Sequence, residues 1–228
     1  MKQGKIYSDP LSAVSGIADG AVVMIGGFGV PGRAQNLIRA LLEKGARDLT
    51  CICNVCSYPM PGQYDVADLV AAGQVKKIIT TFLGNPTQQV PAVDMWRRGE
   101  LEIEVVPQGI LTERIRAAGA GIGGLFIPNG VGNVFEGNRD KTVLDGKEYM
   151  LEMPLKADFA LINAQKADSL GNLVYSLAQR NYNPTMAAAA TVTIVEVAEL
   201  VEVGLIDPEL VVTPGIYVDR LVVTGEEI

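Results

Sequence analysis

The stretch Val22-Val23-Met24-Ile25-Gly26-Gly27-Phe28-Gly29-Val30-Pro31-Gly32 decides the fold. Its apolar, β-branched opening reads as a strand, and glycines at 26, 27, 29 and 32 follow at once. Asn36-Leu37-Ile38-Arg39-Ala40-Leu41-Leu42 then takes up a helical period. Glycine lets a backbone turn sharply or approach a ligand closely. At the C-terminal end of a first strand, such a turn is where open α/β sheets place their chemistry. The stretch therefore predicts an α/β protein that acts on a small molecule.

Outward from there, strand and helix patterns alternate. Strand-like stretches lie at 21–26, 49–54, 76–82 and 101–107, with helical patterns at 33–44, 64–72 and 88–98. That rhythm predicts a parallel sheet flanked by helices. A further helix is expected over 111–118. From Gly119 the glycines of 119–124 and 128–133 break helices and mark turns around a short strand, Leu125–Ile127. Residues 143–149 read as a β-hairpin with Asp145-Gly146 as a type I′ turn. Strands at 157–164 and 191–197 follow, with a turn at 168–172, and the alternation of 216–223 reads as a final strand. No repeat or linker interrupts the chain. The expectation is one α/β domain over 1–228, an open and mainly parallel sheet flanked by helices, with a small β-hairpin extension.

Composition excludes several classes. With 228 residues, 48% of them hydrophobic and 20% charged, the chain is neither disordered nor fibrous. A net charge of −7 argues against nucleic acid or an anionic membrane surface as the main partner. No apolar run approaches ~18 residues, and Met1-Lys2-Gln3-Gly4-Lys5 leads into no signal-like segment, so no membrane and a cytoplasmic location are expected. Histidine is absent. A Ser-His or Cys-His pair, a His-ligated zinc and a His general base are thereby excluded within this chain. Cys51, Cys53 and Cys56 lack a fourth metal ligand, and Cys53-x-x-Cys56 closes a strand rather than opening a helix. They read as small apolar residues on a buried strand, and no metal is expected.

Gly27-Phe28-Gly29-Val30-Pro31-Gly32 also matches the dinucleotide pattern G-x-G-x-x-G, with Asp48 about 20 residues on. The ribose-binding acid belongs at the C-terminal end of the second strand, however, and Asp48 precedes that strand. The spacing fits a nicotinamide enzyme and the geometry does not.

The same residues resemble another family. Asp19-Gly20-Ala21 through Gly32, then Asn36-Leu37-Ile38, is similar to the N-terminal signature of class I CoA-transferases, the 3-oxoacid and acetate type. In the same order follow Gly73-Gln74-Val75-Lys76-Lys77, the run from Gly99 to Gly109, Glu113-Arg114-Ile115-Arg116, Gly171-Asn172-Leu173, Arg180-Asn181-Tyr182-Asn183-Pro184 and Thr213-Pro214-Gly215-Ile216-Tyr217-Val218. The blocks cover nearly the whole chain and resemble the A (alpha) subunit. The resemblance implies the family's α/β fold, which is related to that of sugar-phosphate isomerases. It implies transfer of coenzyme A from an acyl-CoA to a carboxylic acid, through glutamyl anhydride and glutamyl-CoA intermediates. Coenzyme A is then a substrate, with no resident cofactor. The family's glutamate lies in a Ser-Glu-Asn-Gly motif of the B half, which is absent here. Glu136, in Val134-Phe135-Glu136-Gly137-Asn138, does not match it. The implied partner is a B (beta) subunit bearing the nucleophile, in a heterotetramer of two alpha and two beta chains.

This chain is left with positioning and charge stabilisation. Gln108 ends the fourth strand, and its amide is able to donate to an oxygen that gains negative charge; the resemblance gives a glutamine in this motif that role. Its other reading is a cap on the next helix. Gly26, Gly27 and Gly29 either bring backbone N–H groups to the acyl or carboxylate end or serve strand–helix packing. Phe28, and Asn54 at the end of the second strand, complete this substrate-binding set. Gly130, Val131 and Gly132 are expected to wall the acyl pocket. Arg180 and Asn181 either fix a substrate carboxylate or brace the fold. Departures from the family pattern, Ala34 in place of proline and the stretches 53–62 and 83–91, fall at the glycine turn and after strands, where specificity loops belong. A thioester hydrolase, a sugar-phosphate isomerase or sensor, and a non-catalytic partner remain alternatives.

Overall fold

The computed structural model describes residues 4–56, 61–84 and 90–225. A two-residue strand, β1 (Ile6–Tyr7), and a short helix, α1 (Pro10–Val14), open the chain. Asp9 caps that helix by accepting the Ser12 amide at 2.8 Å, and Pro10 stands at its first position, where no N–H is needed. The apolar run then forms β2 (Val22–Ile25). Val23 and Ile25 enter one buried layer and Met24 the other, as the period of a strand requires.

The alternation continues as expected. It runs through α2 (Gln35–Lys44), β3 (Leu49–Val55), α3 (Val66–Ala71), β4 (Val75–Phe82), α4 (Pro91–Arg97), β5 (Glu102–Val105) and α5 (Gln108–Gly119). Helix α2 stops at Gly45, whose φ of 75° is the left-handed cap that glycine takes most readily. Helix α5 starts at residue 108, three positions before the expected 111. The expected helix 88–98 is seen as α4, with residues 88 and 89 outside the described residues.

The second half adds β6 (Leu125–Ile127), β7 (Lys141–Leu144), β8 (Lys147–Glu152), β9 (Ala157–Asp168), β10 (Leu173–Val174), α6 (Asn183–Ala189), β11 (Ala190–Val201) and β12 (Arg220–Val223). Strands β7 and β8 are the expected hairpin, with positive φ at both Asp145 (50°) and Gly146 (75°) as a type I′ turn demands. β6 adds a third antiparallel strand to it. The tail departs from expectation. Residues 215–217 form a 3₁₀ turn and only Arg220–Val223 is strand. Gly215 is pressed onto the Leu170 carbonyl, where any side chain would overlap it, and its amide donates to Asn172 Oδ1 at 2.9 Å.

The main sheet runs β1-β12-β11-β9-β2-β3-β4-β5, parallel throughout, with β10 added antiparallel on β9. One face packs on α1 to α4 through residues such as Leu37, Ile38, Leu41, Leu69 and Val70. The other packs on α5 and α6 through Ile110, Leu111, Ile115 and Met186. Each such fully buried side chain contributes on the order of 1.5–3 kcal/mol. Chain order leads outward from β2 through β3, β4 and β5, and then returns to β9 on the other flank of β2. The switch point of the sheet is therefore β2, and its C-terminal end opens into the glycine run.

Candidate functional site

Four parallel strands deliver their C-terminal ends to one edge, and a cavity of about 550 Å³ lies there. Its walls are Phe28 and Gly29 after β2, Asn54 and Val55 on β3, Thr81 and Phe82 on β4, and Gln108 after β5. The edge thus brings together Gln108, Phe28, Gly29 and Asn54. Phe28 and Phe82 are half exposed, at 47% and 54%, and give the cavity apolar walls.

Gln108 is the first residue of α5, and the helix is capped by Pro107 with no side-chain cap bond. The capping role is not the one it plays. Its carbonyl accepts the Thr112 hydroxyl at 2.9 Å, while its side-chain amide has no partner among the described residues. The unpaired N–H groups of the first turn of α5 begin at the same point, so the helix dipole adds partial positive charge there. Asn54 is 5% exposed and fixed. Its amide donates to Thr81 Oγ1 at 3.1 Å, and its carbonyl accepts the hydroxyls of Thr80 (3.0 Å) and Thr81 (2.8 Å). The sequence reading did not single out these threonines, although their position at a strand's C-terminal end was signal enough.

The glycine run divides by role. Gly26 N–H donates to the Leu161 carbonyl at 2.9 Å, so it is spent in the sheet. A side chain at Gly26 would overlap Asn183 Oδ1, which makes Gly26 a packing glycine and not a substrate donor. Gly27 (φ 106°) and Gly29 (φ 66°) carry the turn, closed by Phe28 N–H to the Pro31 carbonyl at 3.1 Å. Gly27 borders a small crevice beside the cavity with Arg33, Cys53 and Asp65. Asn183 Nδ2 donates to the carbonyls of Gly32 (2.9 Å) and Gln179 (2.8 Å), and Asn181 Nδ2 holds the Pro31 carbonyl at 3.0 Å. Of the two readings of Asn181, bracing is the one the geometry supports. Nothing in the sequence alone marks Asn183 for its part in this turn.

Beneath the turn lies a buried polar chain. Gln179 Nε2 donates to Asn163 Oδ1 at 2.8 Å, Asn163 Nδ2 to Glu196 Oε1 at 3.3 Å, and Leu37 N–H at the start of α2 to Glu196 Oε2 at 3.0 Å. The carboxylate meets the positive end of the helix that follows the glycine turn.

Other expectations fall elsewhere. Gly130, Val131 and Gly132 line neither cavity among the described residues. Gly130 admits the Met150 side chain where a Cβ would stand, and Val131 packs against the core layer of α5. Gly130 and Val131 thus serve packing, while Gly132 has open space around it and a φ of 75°. Glu136 is engaged with Lys141 Nζ at 2.8 Å and with the Gly132 amide, and these hold its carboxyl below the usual value. Such a carboxylate is occupied. Asp48 stands exposed just before β3, at the opposite edge, which removes the dinucleotide reading. The cysteines are buried and unbridged; burial raises all three thiols, Cys53 to about 12, so none is a thiolate nucleophile near neutrality.

Comparison with known proteins gives the same direction. Residues 8–224 match the family model described as Coenzyme A transferase. The chain is 47% identical over 220 residues to the A subunit of 3-oxoadipate CoA-transferase from Pseudomonas putida, covering 96% of this chain and 93% of that protein. It is 44% identical over 209 residues to the alpha subunit of acetate CoA-transferase from Escherichia coli K12, covering 91% and 92%. Among solved structures it superposes on the acyl-CoA transferase YdiF of Escherichia coli O157:H7 with a TM-score of 0.84 at 23% identity. That superposition covers all of this chain and 48% of the other, and it speaks to the fold.

Proposed function

This chain belongs to the coenzyme A transferase family, and on that premise we propose that it is the alpha subunit of a two-chain enzyme. The enzyme moves coenzyme A from an acyl-CoA to a short-chain or 3-oxo carboxylic acid. The observation that carries the reading is the cavity at the sheet edge. It offers a free donor in Gln108 and apolar walls in Phe28 and Phe82, yet no carboxylate, thiol or amine among its described lining. Nor does the sequence of residues 57–60 and 85–89 contain one. The acid that attacks the thioester comes from a beta subunit.

In that scheme the partner's glutamate carboxylate adds to the thioester carbonyl. The carbonyl oxygen becomes an oxyanion, and the CoA thiolate leaves to give an acyl-glutamyl anhydride. The thiolate then attacks the glutamyl carbonyl and releases the first acid, leaving glutamyl-CoA. The acceptor acid reverses both steps. Each step passes through an oxyanion, and a donor already in place stabilises it without the cost of reorienting water. Gln108 is that donor, and coenzyme A is the substrate with no resident cofactor. Phe28, Gly29 and Asn54 shape the acyl side. The alpha chain pairs with its beta chain in an assembly of two of each, in the cytoplasm. No helix among the described residues is long and apolar enough to cross a membrane.

The test is Gln108→Ala in the reconstituted two-chain enzyme. The expected result is a kcat lower by ~10²-fold with KM little changed, the scale of a lost oxyanion donor. A loss confined to KM assigns Gln108 to ground-state binding, and unchanged kinetics remove it from the mechanism.

A further inference from the structure

The turn after β2, whose Phe28 and Gly29 wall the cavity, is tied to the start of α3 by a buried ion pair. Arg33 and Asp65 side chains are each 7% exposed, and Arg33 Nη2 lies 3.4 Å from Asp65 Oδ2. Arg33 Nε donates to the Gly29 carbonyl at 3.1 Å. Asp65 is itself held: its Oδ1 accepts the Ala67 amide at 2.6 Å, and its own amide donates to Asp68 at 2.8 Å in the capping box of α3. A clamp thus runs from the start of α3 to the carbonyl of Gly29.

The turn needs such a clamp. Glycine loses more conformational freedom on ordering than any other residue, and both flanks of Phe28 are glycines with positive φ. Arg33 meets both flanks. Its Cα and N stand 3.1 and 3.2 Å from where a Cβ of Gly27 would lie, and its guanidinium grips Gly29. Between them sits Phe28, a wall of the cavity. Burying an ion pair gains little stability, because desolvation offsets attraction. Placement is the property that its position delivers.

We propose that Arg33, steadied by Asp65, is a positioning residue that fixes the Gly27-Phe28-Gly29 turn against the Gln108 cavity and so sets the kcat of the reaction. The kinetic consequence rests on the transferase reading; the clamp itself does not. Two measurements separate them, both on the full chain with its partner. The charge-neutral pair R33M/D65N avoids leaving one charge buried alone, and R33K keeps the charge but loses the planar fork.

The first measurement is amide hydrogen exchange at Phe28 and Arg33, whose N–H groups bond to the carbonyls of Pro31 (3.1 Å) and Val30 (3.2 Å). Exchange at these two should rise at least ~10-fold in R33M/D65N while β2 and β9 keep their wild-type protection. The second is kinetics: kcat should fall ~10–100-fold with KM within about threefold, and R33K should fall between. Unchanged exchange at the turn, unchanged kcat in the folded variant, or a loss confined to KM overturns the proposal. If R33M/D65N loses protection everywhere, R33K decides, and wild-type exchange and kcat in R33K overturn it. A wild-type complex without transfer activity, but with turn amides that respond, sinks the transferase reading and leaves the clamp standing.

Discussion

Glycines 26 and 29 sit three residues apart and make opposite demands. Gly26 has no room for a side chain, since a Cβ would overlap Asn183 Oδ1 and touch Ile162 Cγ2 at 3.4 Å. Gly29 has open space, with nothing within 4 Å, but a φ of 66° that L-residues resist. Gly26→Ala should therefore lose stability to overpacking, by roughly 1–3 kcal/mol, and Gly29→Ala only about 1 kcal/mol from backbone strain. Urea unfolding of both variants checks the order, and an equal or reversed loss contradicts this account of the turn. The sequence showed that glycines were required here but not why. A packing glycine and a turn glycine look alike until the neighbour that presses on one of them is known. The same blindness applies to Gly130, where the requirement comes from Met150, 20 positions away in the chain. The position of Gln108 at the ligand-binding edge was legible because it follows the fourth strand pattern, between Pro107 and Gly109.

Among the elements, edge strand β5 bears on function through the helix that follows it. Glu104 on β5 accepts Arg114 Nη1 of α5 at 3.0 Å and pairs with Lys77 Nζ of β4 at 3.2 Å, tying the edge to the helix that starts with Gln108. Burial raises its carboxyl, but Arg114 and Lys77 outweigh that, and the net shift is downward. A carboxyl lowered by folding contributes stability that is present above its ordinary value of about 4.3 and lost as pH falls through the lowered one. Glu104→Gln lacks that contribution. Wild type should exceed it by about 1 kcal/mol near neutrality, a modest figure because the pair is partly solvated. The gap should close as the pH drops below about 4. Denaturant melts across that range check it, and a gap that stays constant or widens toward acid contradicts the assignment. Long strands and amphipathic helices were legible from period alone. Strand β1 and helix α6 were not: two residues carry no periodicity, and Pro184-Thr185-Met186-Ala187-Ala188-Ala189 has no polar face to reveal a helix buried on its neighbours.

At the scale of the molecule, the strand order places the glycine turn at the switch point between β2 and β9, and the loops of β3, β4 and β5 line up beside it. Open sheets gather ligand sites at such a crevice, and one side of it is furnished here. In the proposed function, the donor, the turn and the apolar walls belong to this chain and the attacking carboxylate to the beta subunit. The sheet class was readable from the alternation of patterns, and so was the edge that bears the cavity. The return of β9 to the flank of β2 was not, because strand order depends on packing between residues more than a hundred positions apart. The most direct test is a CoA-transfer assay of this chain purified by itself, of its beta partner by itself, and of the two mixed. Transfer only in the mixture is the expected result, and turnover by this chain without its partner would contradict the half-site account.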